Sequence, residues 1–240
     1  MEPAHRNPTR PGTRLSLPSD IWTAFTENEG WERLTQHVQL SVVSLLLAAT
    51  IGVVLGIACS KGGHVGSFVI AATGVIGRTV PTFAAMALVI AFTSIGFWPA
   101  IVGLTALGIP SVLLNVATGI RGADPGAVEA ARGMGLTPVQ VLGRVEVPMA
   151  LPLAFTGLRS AAVMIVSTAA LAGAVGAGGL GVTIIAGLSN NQTDVLLAGA
   201  IPVTLLAVVA EGIVITAESL STPKRLRRAR RQAQLLGRSQ

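Results

Sequence analysis

The chain has 240 residues, of which 51% are hydrophobic and only 12% charged, with 28 glycines, no tyrosine and a mean hydropathy of +0.68; this is too apolar for an ordinary soluble domain and fits a membrane bundle of one domain, or two at most. The net charge of +6 would suit a nucleic-acid partner, but six of the seventeen basic residues crowd into KRLRRARR at 224–231, which membrane topology explains better. A single cysteine, Cys59, and the scattered His5, His37 and His64 leave no material for a disulfide framework or a metal site.

Taken in chain order, residues 1–37 carry arginines at 6, 10 and 14 and then Glu27, Glu29 and Glu32. No apolar segment follows the arginines, so the expectation is an extracytoplasmic, largely irregular tail instead of a cleaved signal peptide. A bilayer core needs about 20 apolar residues at about 1.5 Å each. Val38 to Ser60 supplies the first span, and a second starts near Gly66 and passes Arg78. Thr79 to Ile120 is too long for one span, and Gly96, Phe97, Trp98 and Pro99 place a turn with an interfacial aromatic inside it, so it holds the end of span two and all of span three. The fourth span runs from about Leu151 to Ala174 and the fifth from about Val195 to Glu218. Five spans put the termini on opposite sides. Lys61, Arg121, Arg132, Arg144 and the 224–231 cluster share one side, which the positive-inside rule makes the cytoplasm. The expected protein is an all-α integral membrane protein of the plasma membrane: tail 1–37 outside, transmembrane domain 38–220 with a loop at 121–148, and a basic cytoplasmic tail 221–240.

That loop is polar in an apolar chain, and its local signals describe a helical hairpin. Asp124 caps a first helix with Pro125 at its first position, and Gly133 or Gly135 ends it. Thr137 caps a second, with Pro138 at the first position and Gln140 completing a capping box, and Pro148 is expected to stop it. Such a hairpin reads either as a docking element for a cytoplasmic protein or as a solvated connection. A DNA-binding helix-turn-helix is excluded, because a hairpin tied to the bilayer at both ends cannot enter a major groove.

Glu129-Ala130-Ala131, then Gly135, then Val145-Glu146-Val147-Pro148 resembles the EAA loop signature of ATP-binding cassette importer permeases, with valine at both aliphatic positions and the family's spacing throughout. Thr79-Val80-Pro81-Thr82, the run EAARGMG, Gly157-Leu158-Arg159-Ser160-Ala161 and GAGGLG at 176–181 are most similar to the osmoprotectant branch, whose members take up glycine betaine, choline, carnitine and related amines. The resemblance implies a transport subunit, itself no enzyme and without a cofactor. Its partners would be a cytoplasmic ATP-binding subunit that hydrolyses ATP, a second permease of the same or a related chain, an extracytoplasmic solute-binding protein and membrane lipid, with no nucleic acid. Glu129, Ala130, Ala131, Arg132 and Gly135 would couple the chain to the ATPase: the alanines permit close approach, Glu129 offers a charge to a basic cleft, and Gly135 lets the chain reverse. A Gly-x-x-x-x-Gly-Lys-Ser/Thr pattern is absent from the chain, as suits a subunit whose ATP is bound elsewhere. The alternatives are an ATP-driven permease for another small solute such as an amino acid, or a self-contained channel or carrier.

GAGGLG also satisfies G-x-G-x-x-G, but it follows an apolar span instead of a strand, so its glycines are read as a turn at the extracytoplasmic end of span four. Quaternary ammonium is held by aromatic cages through cation–π attraction, and with six phenylalanines and three tryptophans the chain is poor in such rings. High-affinity capture is therefore expected in the binding protein, with Thr79, Thr82, Asn115, Ser167 and Thr168 lining a low-affinity path, or else serving as ordinary helix-packing residues. Glu211 cannot be moved out of the bilayer, because Val195 to Ala210 is too short to span; either Arg159 or Arg78 pairs with it, or the arginines snorkel and Glu211 is protonated.

Overall fold

The computed structural model describes residues 18–79 and 96–221, and the regular elements within them are all helical. In chain order they are α1 (Pro18–Glu27), α2 (Gly30–Lys61), α3 (Gly63–Thr79), α4 (Phe97–Arg121), α5 (Pro125–Gly133) and α6 (Pro138–Val141). A π turn (Leu142–Glu146) leads into α7 (Val147–Ala172), followed by a 3-10 turn (Gly173–Val175), α8 (Leu180–Ser189) and α9 (Thr193–Ser221). Four stretches are long and apolar enough to cross a membrane: Gly30–Lys61, Phe97–Arg121, Pro138–Ala172 and Thr193–Ser221. They contain the expected spans one, three and five, and span four except for its last two residues, which lie in the 3-10 turn. Span two begins as α3, and its remainder lies outside the described residues.

The bundle is built on α4, which packs along α2 on one side and α7 on the other. Small residues set that geometry. Ala48, Gly52 and Gly56 recur at four-residue intervals on one face of α2 and meet Gly108, Val112 and Val116 of α4 in the same order. A Cβ added at Gly52 would lie 2.7 Å from Val112 Cβ, and one at Gly56 2.8 Å from Val116 Cβ. Between helices in lipid there is no water to expel, so close backbone approach and dispersion carry the association, and small residues permit both. On the other side of α4, Gly119 abuts Ala150, and Gly157 abuts Asn115 and the Ser111 carbonyl. Leu40, Ile101, Leu104, Ile165 and Ala169 fill the centre, each 2% exposed or less. Beyond α7, the chain folds back as α8: Gly173 and Gly181 bring the start of α8 onto the end of α7 backbone to backbone. α9 then closes the bundle against α7 and α8.

Two expectations are corrected. Residues 18–37 are not irregular: α1 lays Ala24 and Phe25 onto a cluster with Leu180, Val195 and Ala198, and α2 starts at Gly30, ahead of the apolar run. The physical reason is a tight corner. Glu29 takes a left-handed φ of 56°, Arg33 ties it down by an ion pair to Glu29 at 3.5 Å and a bond to the Asn28 carbonyl at 2.8 Å, and Gly30 leaves room for the Phe25 ring. Pro148, in turn, does not stop the helix that starts at Pro138. Its ring would clash with a carbonyl one turn back in a regular helix, but the π turn over 142–146 widens the ladder just before it, and Pro148 becomes a first-turn residue of α7.

Candidate functional site: the polar hairpin and its attachments

The hairpin is α5 and α6 with the turn between them. Asp124 accepts a bond from the Gly126 N–H at 3.1 Å, and Pro125 stands at the first position of α5. Gly135 adopts a φ of +82°, a left-handed conformation that a β-carbon disfavours, and this reverses the chain. Both halves of the Thr137–Gln140 capping box are present: Gln140 Oε1 accepts from the Thr137 N–H at 2.9 Å, and Thr137 Oγ1 accepts from the Gln140 N–H at 3.4 Å. Glu129, Ala130, Arg132 and Gly135 are exposed, together with Met134 and Val139, which are 74% and 79% exposed. Ala131 is buried, so the pair of alanines splits: Ala130 is exposed and Ala131 is not. Met134 and Val139 are contact candidates that motif reasoning passes over; their signal is two large apolar side chains inside a polar loop.

Each end of the hairpin is held to the end of α2. Arg121, the last residue of α4, donates from Nη2 to the Cys59 carbonyl at 2.9 Å and from Nε to the Ser60 carbonyl at 3.3 Å. Glu146, the last residue of the π turn, has its side chain only 5% exposed and lies 2.5 Å from Lys61 Nζ; the contact is ionic, without the alignment of a directed hydrogen bond. In the sequence, Lys61, Arg121 and Arg144 stand out only as topology markers and Glu146 only as a motif position. No spacing rule links residue 61 to residue 146.

At the opposite end, the GAGGLG turn rests on the start of α2. Gln36 Oε1 accepts from the Gly179 N–H at 2.9 Å, and His37, fully buried, bonds through Nε2 to the Val166 carbonyl at 3.0 Å. Trp22, Phe25 and Trp31 cluster nearby, beside an apolar groove of about 310 Å³ that Ile201, Pro202 and Leu205 of α9 complete. Their ring centroids are 5.4 to 6.4 Å apart, in mutual contact. The rings fill the space between one another, while Trp22 and Trp31 stay 58% and 62% exposed. On the far side of α1, Asp20, Glu27 and Asp194 surround a second recess of about 420 Å³.

Arg159 Nε lies 3.8 Å from Glu211 Oε1, with both side chains partly exposed. The Arg78 side chain is not among those described. Of the expected solute path, Thr82 lies outside the described residues and Thr79 is described only as the last backbone position of α3. Asn115 donates to the Ser111 carbonyl at 2.8 Å, Thr168 is 7% exposed, and Ser167 is exposed. Neighbouring helix positions point about 100° apart, so Ser167 and Thr168 face different surroundings within this single chain.

Comparison with known proteins gives a consistent result. Residues 48–215 match the family described as binding-protein-dependent transport system inner membrane component. The chain is 38% identical over 213 residues to the carnitine transport permease protein OpuCB of Listeria monocytogenes, covering 88% of this chain and 97% of that one. It is 32% identical over 207 residues to the choline transport system permease protein OpuBB of Bacillus subtilis (strain 168), covering 85% and 95%. Among solved structures, the inward-facing MetNI methionine ABC transporter matches with a TM-score of 0.63 at 26% identity, over 80% of this chain and 94% of that one.

Proposed function

The chain belongs to the family of binding-protein-dependent transport system inner membrane components, and from that premise we propose that it is the permease subunit of an ATP-driven importer for quaternary amines of the carnitine and choline kind. The observation that carries the coupling half of this reading is the hairpin. A capped, glycine-reversed pair of short helices presents Glu129, Ala130, Met134 and Val139 outward and is held to the membrane helices at both ends. A separate cytoplasmic subunit binds and hydrolyses ATP, grips this hairpin, and so moves the spans between inward-open and outward-open arrangements. A second permease chain and an extracytoplasmic solute-binding protein complete the assembly.

The orientation follows from the charges. The hairpin end, with Lys61, Arg121, Arg132 and Arg144, faces the cytoplasm, and the end with α1 and the GAGGLG turn faces outward, so the N-terminus is outside and the C-terminus inside. Solute is captured at high affinity by the binding protein. The Asp20, Glu27 and Asp194 recess gathers three carboxylates, a local negative field that attracts a quaternary ammonium group. Asn115, Ser167 and Thr168 remain the candidates for the path, shared with the second permease, and the Arg159–Glu211 pair would keep two intramembrane charges from standing alone.

The test is uptake of radiolabelled choline, carnitine, glycine betaine and methionine by cells lacking their own osmoprotectant carriers and expressing the chain with its neighbouring ATPase and binding protein. Vanadate-sensitive uptake of a quaternary amine, with the ATPase co-purifying, is the expected result. Uptake of methionine instead would move the substrate to the amino-acid class that the structural match names. Vanadate-insensitive uptake without a retained ATPase would end the importer reading.

A further inference from the structure

Both feet of the hairpin hold one turn of a third helix. Arg121 precedes α5 by four residues and bonds the last carbonyls of α2; Glu146 lies five residues beyond α6 and pairs with the last side chain of α2. Neither contact is needed to close the hairpin, which the Asp124 cap, the Gly135 turn and the Thr137–Gln140 box already shape. Glu146 is the more informative of the two. The carboxylates of the hairpin itself, Asp124 and Glu129, are exposed, whereas Glu146 is 4% exposed. Burying a carboxylate is unfavourable unless a cation meets it. The π turn aims it: one additional residue in the turn rotates the succeeding residues by about 100° relative to an unbroken α-helix. Arg121 adds a cation at the negative end of the α2 dipole, where the Cys59 carbonyl also accepts the capping Gly62 N–H at 3.4 Å.

We propose that the C-terminal turn of α2, Cys59 to Lys61, is where the motion of the hairpin enters the membrane domain, with Glu146 and Arg121 as positioning residues that pull it. α2 is then the rod that carries the displacement. From Lys61 to His37 is roughly 36 Å of helix, and at that far end Gln36 and His37 hold the GAGGLG turn and the Val166 carbonyl. A shift of the hairpin therefore reaches the outer turn through one continuous helix. The proposal rests on the reading of the chain as an ATP-driven permease and adds to it the route by which coupling leaves the hairpin.

The test uses the whole complex in proteoliposomes, the permease with its ATPase and binding protein, with choline as the transported probe. Glu146→Gln is expected to lower uptake per ATP hydrolysed at least fivefold while ATPase retention and the thermal midpoint stay at the wild-type level; Lys61→Met, which leaves the buried carboxylate unpaired, is expected to lower that ratio as far and the thermal midpoint with it. The exchange Lys61→Glu with Glu146→Lys is expected to restore at least half of the loss. A staple that only stabilises the fold would instead lower yield and midpoint and leave the uptake-to-ATP ratio of the surviving protein unchanged, and that result overturns the proposal. Cys59, the single cysteine of the chain and half-buried, gives a second readout in the unaltered protein. Its maleimide labelling rate should differ severalfold between the nucleotide-free and vanadate-trapped complexes. Equal rates overturn the proposal even if no variant inserts. Intact pumping with unchanged ratios in the variants refutes the rod alone; loss of the ATPase from the wild-type complex refutes the importer reading beneath it.

Discussion

Replacing Gly52 by alanine tests whether close backbone contact holds the bundle together. The new β-carbon would stand 2.7 Å from Val112 Cβ, 2.9 Å from Val112 Cγ1 and 3.3 Å from the Ile109 carbonyl oxygen. Carbon atoms prefer a separation of about 3.5 to 4.0 Å, so α2 and α4 must part by nearly an ångström or Val112 must leave its position. Overpacking of this kind costs about 1 to 3 kcal/mol, while removing a helical glycine returns about 0.8 to 1 kcal/mol. Gly212 of α9 supplies the control, because a β-carbon there meets nothing within 4 Å. Gly212→Ala shares the propensity gain and lacks the clash, so the difference between the two variants isolates the packing effect. That difference, about 1 to 3 kcal/mol, corresponds to roughly 5- to 150-fold in the unfolding equilibrium constant at about 1.4 kcal/mol per tenfold. Reversible unfolding in mixed detergent micelles, followed by circular dichroism, measures it. If Gly52→Ala is as stable as Gly212→Ala, close α2–α4 approach is not what holds this bundle.

Three further outcomes are expected. A reporter fused after residue 240 should be cytoplasmic, and a cysteine at the exposed Ser189 should be labelled by an impermeant reagent from outside; labelling only after permeabilisation would reverse the orientation. Gly135→Leu, which forces a β-carbon onto a residue at φ +82°, and Glu129→Lys, which places a like charge against the basic cleft proposed for the ATPase, should each leave the protein inserted but lower uptake, the glutamate change at a loss of about 1 to 3 kcal/mol in coupling. Wild-type uptake in both would remove the hairpin from the mechanism. Glu211→Gln should lower folded yield or transport, and adding Arg159→Gln should recover part of the loss, because a partly exposed pair 3.8 Å apart still leaves a lone charge in the bilayer when one member goes; strictly additive effects would show that the two charges act independently.

The hairpin was legible because its instructions are local. Asp124-Pro125, Gly135 and Thr137-Pro138 with Gln140 specify caps, a reversal and a box through contacts within four residues, so a one-dimensional reading suffices. The long spans were legible for a similar reason: hydrocarbon demands an uninterrupted apolar run, and each run is visible by itself. Pro148 failed as a stop signal because the π turn ahead of it reorganises the ladder, and nothing in the five residues Leu142 to Glu146 announces that change. α1 was missed because its order depends on Phe25 meeting Leu180 and Val195, more than 150 residues away. The Ala48, Gly52, Gly56 ladder was present as a spacing, yet only its register against Gly108, Val112 and Val116 shows what it packs on.

By itself, then, the sequence determined that the chain is a membrane helical bundle carrying a polar, capped hairpin, since both follow from composition and short-range chemistry. Only the tertiary structure decided that the two ends of that hairpin grip the end of α2, and that the start of α2 in turn carries the glycine-rich turn. Charges 85 positions apart in the chain, at Lys61 and Glu146, are brought together by the crossing of helices, which is set by where small residues let backbones approach.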